Sequence, residues 1–314
     1  VKASHPALPD NTRLAVFVIV VTVFALALGD AVIKGLSADF TLWQIFTIRS
    51  LLVLPVLFVI IRLRRRAVSI WPHQPVWTIL RSVLLTLMWV TYYVALPHVD
   101  LSIAAAAYYT SPLFITLFAG YFLGDRVGRS GWAGVVLGFV GMWLILQPEA
   151  EGFNGFTLLP LLAAVLYALA MILTRSHCRT ENVLVLSAWL NLSMLFAGAL
   201  VSGFLVVFGL VGDGSGDQTF LWGPWTDMGP IEWGTLGLLS VAIIVGSVGA
   251  AIAYQVGHSS TVATFDFAYV AFAAIWGFVL FQEELNLRAL TGIVLIVCAG
   301  ILAVHRSAQS NRSQ

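Results

Sequence analysis

Three ionisable residues stand inside long apolar runs of this chain: Asp30, Arg49 and Asp266. A charge at the middle of a membrane-spanning helix costs about 2.5–3.5 kcal/mol on insertion scales, so such a residue has to face a wet cavity or a partner. Asp30 and Lys34 are four apart and share a helical face, where they can form an ion pair or let Lys34 reach the headgroups. Arg49 lies about 8–9 Å of helix rise from the Trp43-Gln44 pair, and the acid within its reach is Asp30 on the preceding run. Such a couple is either a structural pair or a device that orients a zwitterionic or anionic solute, because a guanidinium grips carboxylate and phosphate in two places at once. Asp266 has no basic residue nearby in sequence. It is a candidate for carrying a coupled proton, or is held protonated or hydrogen-bonded to a neighbouring helix. Trp89, Tyr92, Tyr93, Tyr108, Tyr109, Trp189, Tyr254, Tyr269 and Trp276 put polar-tipped rings on the same runs. Trp89, Tyr92 and Tyr108 are the choice for lining a cavity around a flat or amphipathic solute, with packing and interfacial belts the alternative.

Other chemistries find little support. His98 and His258 lack a carboxylate arrangement that would hold a metal, and neither a nucleophile elbow nor a His-Glu-x-x-His motif is present. Gly212 to Asp217 has no Gly-Lys-Ser/Thr after it, so it reads as a loop rather than a phosphate cradle. Cys178 and Cys298 are too few and too far apart for a metal site or disulfide framework. No cofactor is expected, no catalytic or metal residue is assigned, and no nucleotide hydrolysis is expected to power the protein. A net charge of +1 gives nucleic acid no basic surface to bind.

The runs that carry these residues decide the fold class. The chain is 60% hydrophobic and only 10% charged, against roughly 25% charged residues in a soluble domain. Its apolar stretches are long enough to cross a hydrocarbon core of about 30 Å as helices, and they lack the alternation of a β-barrel. An all-α integral membrane protein follows, with ten transmembrane helices over 14–34, 42–61, 76–96, 101–123, 131–147, 156–174, 183–210, 234–256, 261–281 and 287–304. The first run continues through Asp30 to Lys34, longer than a cleavable leader needs.

Basic residues set the orientation. Lys2, Arg13, Arg62, Arg64, Arg65, Arg66, Arg126, Arg129, Arg175, Arg179, Arg306 and Arg312 fall on one side, and only Lys34 and Arg288 on the other, with Arg49 and Arg81 within or at the edge of spans. Both termini are therefore expected in the cytoplasm. The Arg64-Arg65-Arg66 run anchors that face at anionic headgroups.

Leu123-Gly124-Asp125-Arg126-Val127, followed by Gly131, Gly134, Gly138 and Gly141, has a counterpart in Phe281-Gln282-Glu283-Glu284-Leu285, followed by Gly292 and Gly300. Five spans per half place the halves in opposite orientations, an inverted repeat. The expected division is a cytoplasmic N-terminus 1–13, a first repeat 14–147, an outer linker 148–155, a second repeat 156–304 and a cytoplasmic tail 305–314. Pairing Gly134 with Gly292 brings Asp266 into register with Tyr108, both near the centre. The stripe of small residues at Gly131, Gly134, Gly138 and Gly141 allows close helix approach, within the monomer or in a homodimer.

With Ala104 to Ala107 and Pro112, Leu123-Gly124-Asp125-Arg126 before a glycine-rich helix, and Phe281-Gln282-Glu283-Glu284 before Gly292, the sequence resembles the drug/metabolite transporter superfamily, specifically its EamA-type members, over essentially its whole length. It departs from the family pattern at Asp125, where glutamate is usual, at Gln282, where glycine is usual, and in having no proline in the ninth span to match Pro112. The resemblance implies a multi-pass secondary transporter of a bacterial-type inner membrane, moving a small organic metabolite by alternating access and open to coupling with protons. Asp30 and Lys34, then Trp43-Gln44 and Arg49, look like bacterial importers of riboflavin or S-adenosylmethionine and, less closely, amino-acid exporters. A lipid flippase of the same architecture is the alternative. The expected partners are a small-molecule substrate and the lipid bilayer.

Overall fold

The computed structural model describes residues 12–63, 69–122, 129–146, 154–178, 180–212, 219–256, 262 and 265–310. The apolar runs fold as helices because only helices and closed barrels satisfy every backbone polar group inside a bilayer, and no strand occurs among the described residues. In chain order the helices are α1 (Thr12–Leu36), α2 (Leu42–Leu63), α3 (Pro75–Ala95), α4 (Leu101–Tyr108), α5 (Ser111–Phe122), α6 (Arg129–Leu146), α7 (Leu158–His177), α8 (Val183–Val207), the short α9 (Thr219–Trp222), α10 (Pro230–Val256), α11 (Ala268–Phe281) and α12 (Leu287–Ser310). Among the described residues seven stretches are long and apolar enough to cross a membrane: 13–36, 42–63, 75–95, 101–122, 155–174, 183–207 and 230–250; Ala268–Phe281 and Leu287–Ala299 are shorter apolar helices. The Leu123 to Val127 segment, Arg64 to Arg66, residues 213–218 and His258 lie outside the described residues, as do the surroundings of Gly131 and Gly134 and the side chain of Tyr254.

The fourth span is not one helix. It breaks between α4 and α5, where Pro112 enters as the second residue of α5. A proline has no N–H for the ladder and steers the residue before it away from the helical region. Tyr109 and Thr110 fill the break, with Thr110 Oγ1 donating to the Ala107 carbonyl at 2.6 Å. The expected ninth span likewise carries a turn, at Phe267, between the helical residues 265–266 and α11.

Small residues set the closest approaches. On α8, a Cβ at Gly198 would stand 2.6 Å from the Trp43 carbonyl of α2. On α6, a Cβ at Gly141 would stand 2.8 Å from the Gly292 carbonyl of α12. The described part of the small-residue stripe, Gly138 and Gly141, therefore packs inside the monomer, against Leu113 and α12. The extensive interfaces are α1 with α10 and α11, α2 with α8 and α10, α3 with α7 and α8, α4 and α5 with α7, α4 with α11, and α6 with α12.

Acidic side chains tie the ends. Glu283, just past α11, takes Lys34 Nζ of α1 on Oε1 at 2.5 Å and the Leu101 N–H at the start of α4 on Oε2 at 2.8 Å. Lys34 also donates to the Val99 carbonyl. At the opposite end, Glu181 accepts the Gln74 N–H at the start of α3 at 2.7 Å and lies 3.4 Å from His73 Nδ1. Both carboxylates thus sit where orphan helix N–H groups need an acceptor. Lys34 and Asp30 do not pair: Glu283 answers Lys34 from 249 residues away, a proximity no i,i+4 rule contains. Gln282 is the C-cap of α11. It holds the left-handed conformation, φ 56° and ψ 34°, that ends α11, with its N–H on the Phe278 carbonyl and that of Glu283 on the Gly277 carbonyl, a turn for which glycine is the unstrained residue.

Candidate functional site

Asp30 lies near the end of α1, and the helix packs against α11 so that its carboxylate accepts a hydrogen bond from the Tyr269 hydroxyl. The Tyr269 and Tyr92 hydroxyls are 3.2 Å apart. Tyr92 and Tyr93 also interact with Asp30, and the charge of Arg49 acts on it. Asp30 is 5% exposed and Arg49 1% exposed, so both are out of reach of bulk solvent. Yet Arg49 makes no ion pair with Asp30. Its guanidinium lies 3.4 Å from the Tyr93 hydroxyl and 2.9 Å from the Met194 sulfur, over the Phe46 ring at 5.3 Å, while Nε is enclosed without a hydrogen-bond partner among the described residues. A hydroxyl shared at long range and a thioether are weak acceptors for a cation. The expected direct couple is corrected to an indirect one, Arg49 to Tyr93 to Asp30.

The aromatic residues extend the site. Trp89 stacks near Tyr93, with centroids 5.0 Å apart, and Tyr92 meets Tyr108 at 5.4 Å. Tyr108 in turn meets Tyr167 of α7 at 5.6 Å, and Tyr109 stacks on Tyr269 at 5.1 Å. Tyr108 reaches this position because α4 stops there, so the break at Pro112 ends a helix inside the protein. The half-buried Asp266 acts electrostatically on both Tyr108 and Tyr167. Asp30, Arg49, Trp89, Tyr92, Tyr108 and Asp266 therefore border one tyrosine column. Trp189 and Trp276 do not. The first meets Trp71 and donates to the Ile70 carbonyl, and the second packs on Phe24.

Sequence reasoning gave too little weight to Tyr93 and Tyr269 and missed Tyr167, Met194 and Arg81. Arg81 passed for a residue at a span edge, yet its Nε donates to Thr174 Oγ1 at 2.7 Å. Its position six residues into α3 was the available signal.

The buried charges and aromatic rings of this site lie inside a helical protein with several stretches apolar enough to cross a membrane. Residues 13–147 match the EamA-like transporter family. Similar proteins include a riboflavin transporter of Rhizobium johnstonii, 39% identical over 141 residues, 44% of this chain and 46% of that protein. The chain thus matches about half the length of that relative. A pseudopaline exporter of Pseudomonas aeruginosa is 25% identical over 93% of this chain and 96% of its own. An S-adenosylmethionine uptake transporter of Rickettsia bellii is 24% identical over 74% of this chain and 73% of its own. A protein of known crystal structure, 18% identical, has the same fold, with a TM-score of 0.62 over 95% of this chain and 98% of that one.

Proposed function

We propose that this protein is a secondary transporter that moves a small organic metabolite across the cytoplasmic membrane by alternating access, with both termini in the cytoplasm. The observation that carries the reading is Arg49, a buried guanidinium beside a tyrosine-bound carboxyl and without a carboxylate paired to it among the described residues. A cation left so weakly answered in a low-dielectric interior is costly, and an incoming carboxylate or phosphate offsets that cost. Asp30, Trp89, Tyr92 and Tyr108 would form the rest of the binding site.

The packing supports an architecture of two inverted five-helix repeats. Matching α1 with α7, α2 with α8, α3 with α10, α4–α5 with α11 and α6 with α12 turns the interface of α1 and α10 into that of α7 and α3. It also turns α1 with α11 into α7 with α4–α5, and α2 with α10 into α8 with α3, while α2 with α8, α4 with α11 and α6 with α12 map onto themselves. Halves that can exchange environments in this way suit alternating access. Asp266 is the candidate coupling group. Its charge acts on Tyr108 and Tyr167, and it forms no ion pair among the described residues.

Riboflavin, S-adenosylmethionine and amino-acid-like metabolites are the first substrates to try, given the relatives. Thermal unfolding of the purified protein with each of these, and with lipid headgroups, tests the reading. A ligand at about a hundred times its dissociation constant adds roughly 2.7 kcal/mol. Stabilisation by a soluble metabolite that is lost in Arg49→Gln is the expected result. Stabilisation by headgroups alone would replace the reading with a flippase.

A further inference from the structure

Arg81 repeats, at the other end of the tyrosine column, the predicament of Arg49. One of its nitrogens, Nη1, is enclosed without a hydrogen-bond partner among the described residues, while Nε is held by Thr174. The groups that act on it electrostatically are Tyr167 and Cys178, neither a carboxylate. Asp266 is close enough to act on Tyr167 but forms no ion pair with Arg81. Two groupings of the same composition result, Arg49 with Tyr93 and Asp30, and Arg81 with Tyr167 and Asp266, in each of which base and acid both act on one tyrosine. The column joins them through centroid separations of 5.9 Å from Tyr93 to Tyr92, 5.4 Å from Tyr92 to Tyr108 and 5.6 Å from Tyr108 to Tyr167. Arg81 and Tyr93 are twelve residues apart on α3, about 18 Å at 1.5 Å per residue.

We propose that Arg81 is a second anion-binding station, which takes the carboxylate or phosphate of the transported metabolite at the far end of the tyrosine column from Arg49. The substrate is then an organic anion or zwitterion, handed from one guanidinium to the other. This rests on the transporter reading above and narrows it. Thr174 fixes the guanidinium by Nε, which leaves Nη1 to the ligand. A guanidinium binds a carboxylate or phosphate with paired hydrogen bonds that a lysine ammonium cannot copy.

The test uses the full chain, purified and reconstituted, with two probe pairs: S-adenosylmethionine against its decarboxylated form, and riboflavin 5′-phosphate against riboflavin. Equilibrium binding and uptake are measured for the wild type, Arg81→Gln, Arg81→Lys, Thr174→Val and Arg49→Gln. In the wild type the anion-bearing member of one pair is expected to bind about tenfold or more tightly than its partner, and which pair responds separates carboxylate from phosphate. Arg81→Gln should erase most of that preference and slow uptake, while Arg81→Lys, which loses the planar fork, and Thr174→Val, which releases Nε, should each lower it several-fold. A preference that survives Arg81→Gln but is lost in Arg49→Gln overturns the second station and leaves the Arg49 site standing. A preference indifferent to both, or none in the wild type, overturns the anion argument at both arginines. If Arg81→Gln yields no folded protein, Arg81→Lys decides, and an unchanged preference there refutes the proposal.

Discussion

Neutralising Glu283 should uncouple three helices at one end of the molecule. Glu283→Gln keeps an amide oxygen for the Leu101 N–H but removes the charge from Lys34, whose Nζ lies 2.5 Å from Oε1 with side-chain exposures of 13% and 7%. Breaking a buried pair by removing one partner costs about 3–5 kcal/mol. Lys34 keeps the Val99 carbonyl and some water, so about 2–3 kcal/mol is expected here. The measurement is reversible unfolding of the purified protein in mixed micelles, carried through a double-mutant cycle with Lys34→Met. The cycle should return a coupling of about 1.5–3 kcal/mol, since the residues touch directly. Lys34→Met alone should cost less than Glu283→Gln, because a lone Glu283 still caps α4. A coupling below about 0.5 kcal/mol would show the pair to be worth no more than a surface contact, and the linkage of α1 to α11 would then rest on packing.

Gln282→Gly should stabilise the protein by about 1 kcal/mol, because the exposed glutamine at φ 56° pays a left-handed penalty that glycine does not; an unchanged unfolding midpoint would refute this. Tyr269→Phe, which removes the hydroxyl donated to Asp30, should cost about 1.5–3 kcal/mol, measured as loss of unfolding free energy, and weaken substrate binding; full retention of both would count against the Asp30 cluster. Asp266→Asn should leave substrate exchange intact in proteoliposomes while abolishing any dependence of uptake on a pH gradient, and gradient-driven uptake at wild-type rates would remove Asp266 from coupling. Gly198→Leu should prevent α2 and α8 from closing, since even a Cβ meets the Trp43 carbonyl at 2.6 Å; folded protein of wild-type stability would be the contrary result.

How far the sequence was readable depends on the range of the interaction. Apolar runs gave the helices to within a few residues over Leu42–Leu63 and Val183–Val207, because a span is a local property of length and composition. Arg49 stood out for the same reason: a charge inside such a run is visible on one helix. Its partners were not, because Tyr93 and Met194 come from two other helices, the second 145 residues away. The carboxylate expected to meet it is bound by a tyrosine instead. Lys34 shows the same limit, with a near carboxylate in sequence and a far one in space. The break after Tyr108 was readable in principle from Pro112, but an unbroken run of hydropathy concealed it. Arg81 was hidden by its place near a helix start, where a basic residue ordinarily reaches water.

The bond between Asp30 and Tyr269 also dates the assembly of the protein. Its partners are 239 residues apart, so at about 5–20 residues per second the ribosome needs about 12–48 s after Asp30 before Tyr269 exists. For most of that interval α1 lacks α10, and for all of it α11, the two helices against which it packs most extensively. A carboxyl in a newly made helix has to be tolerated until the ninth apolar run arrives. Truncated chains that end before Tyr269 should therefore be the ones most dependent on the insertion machinery and most exposed to membrane proteases.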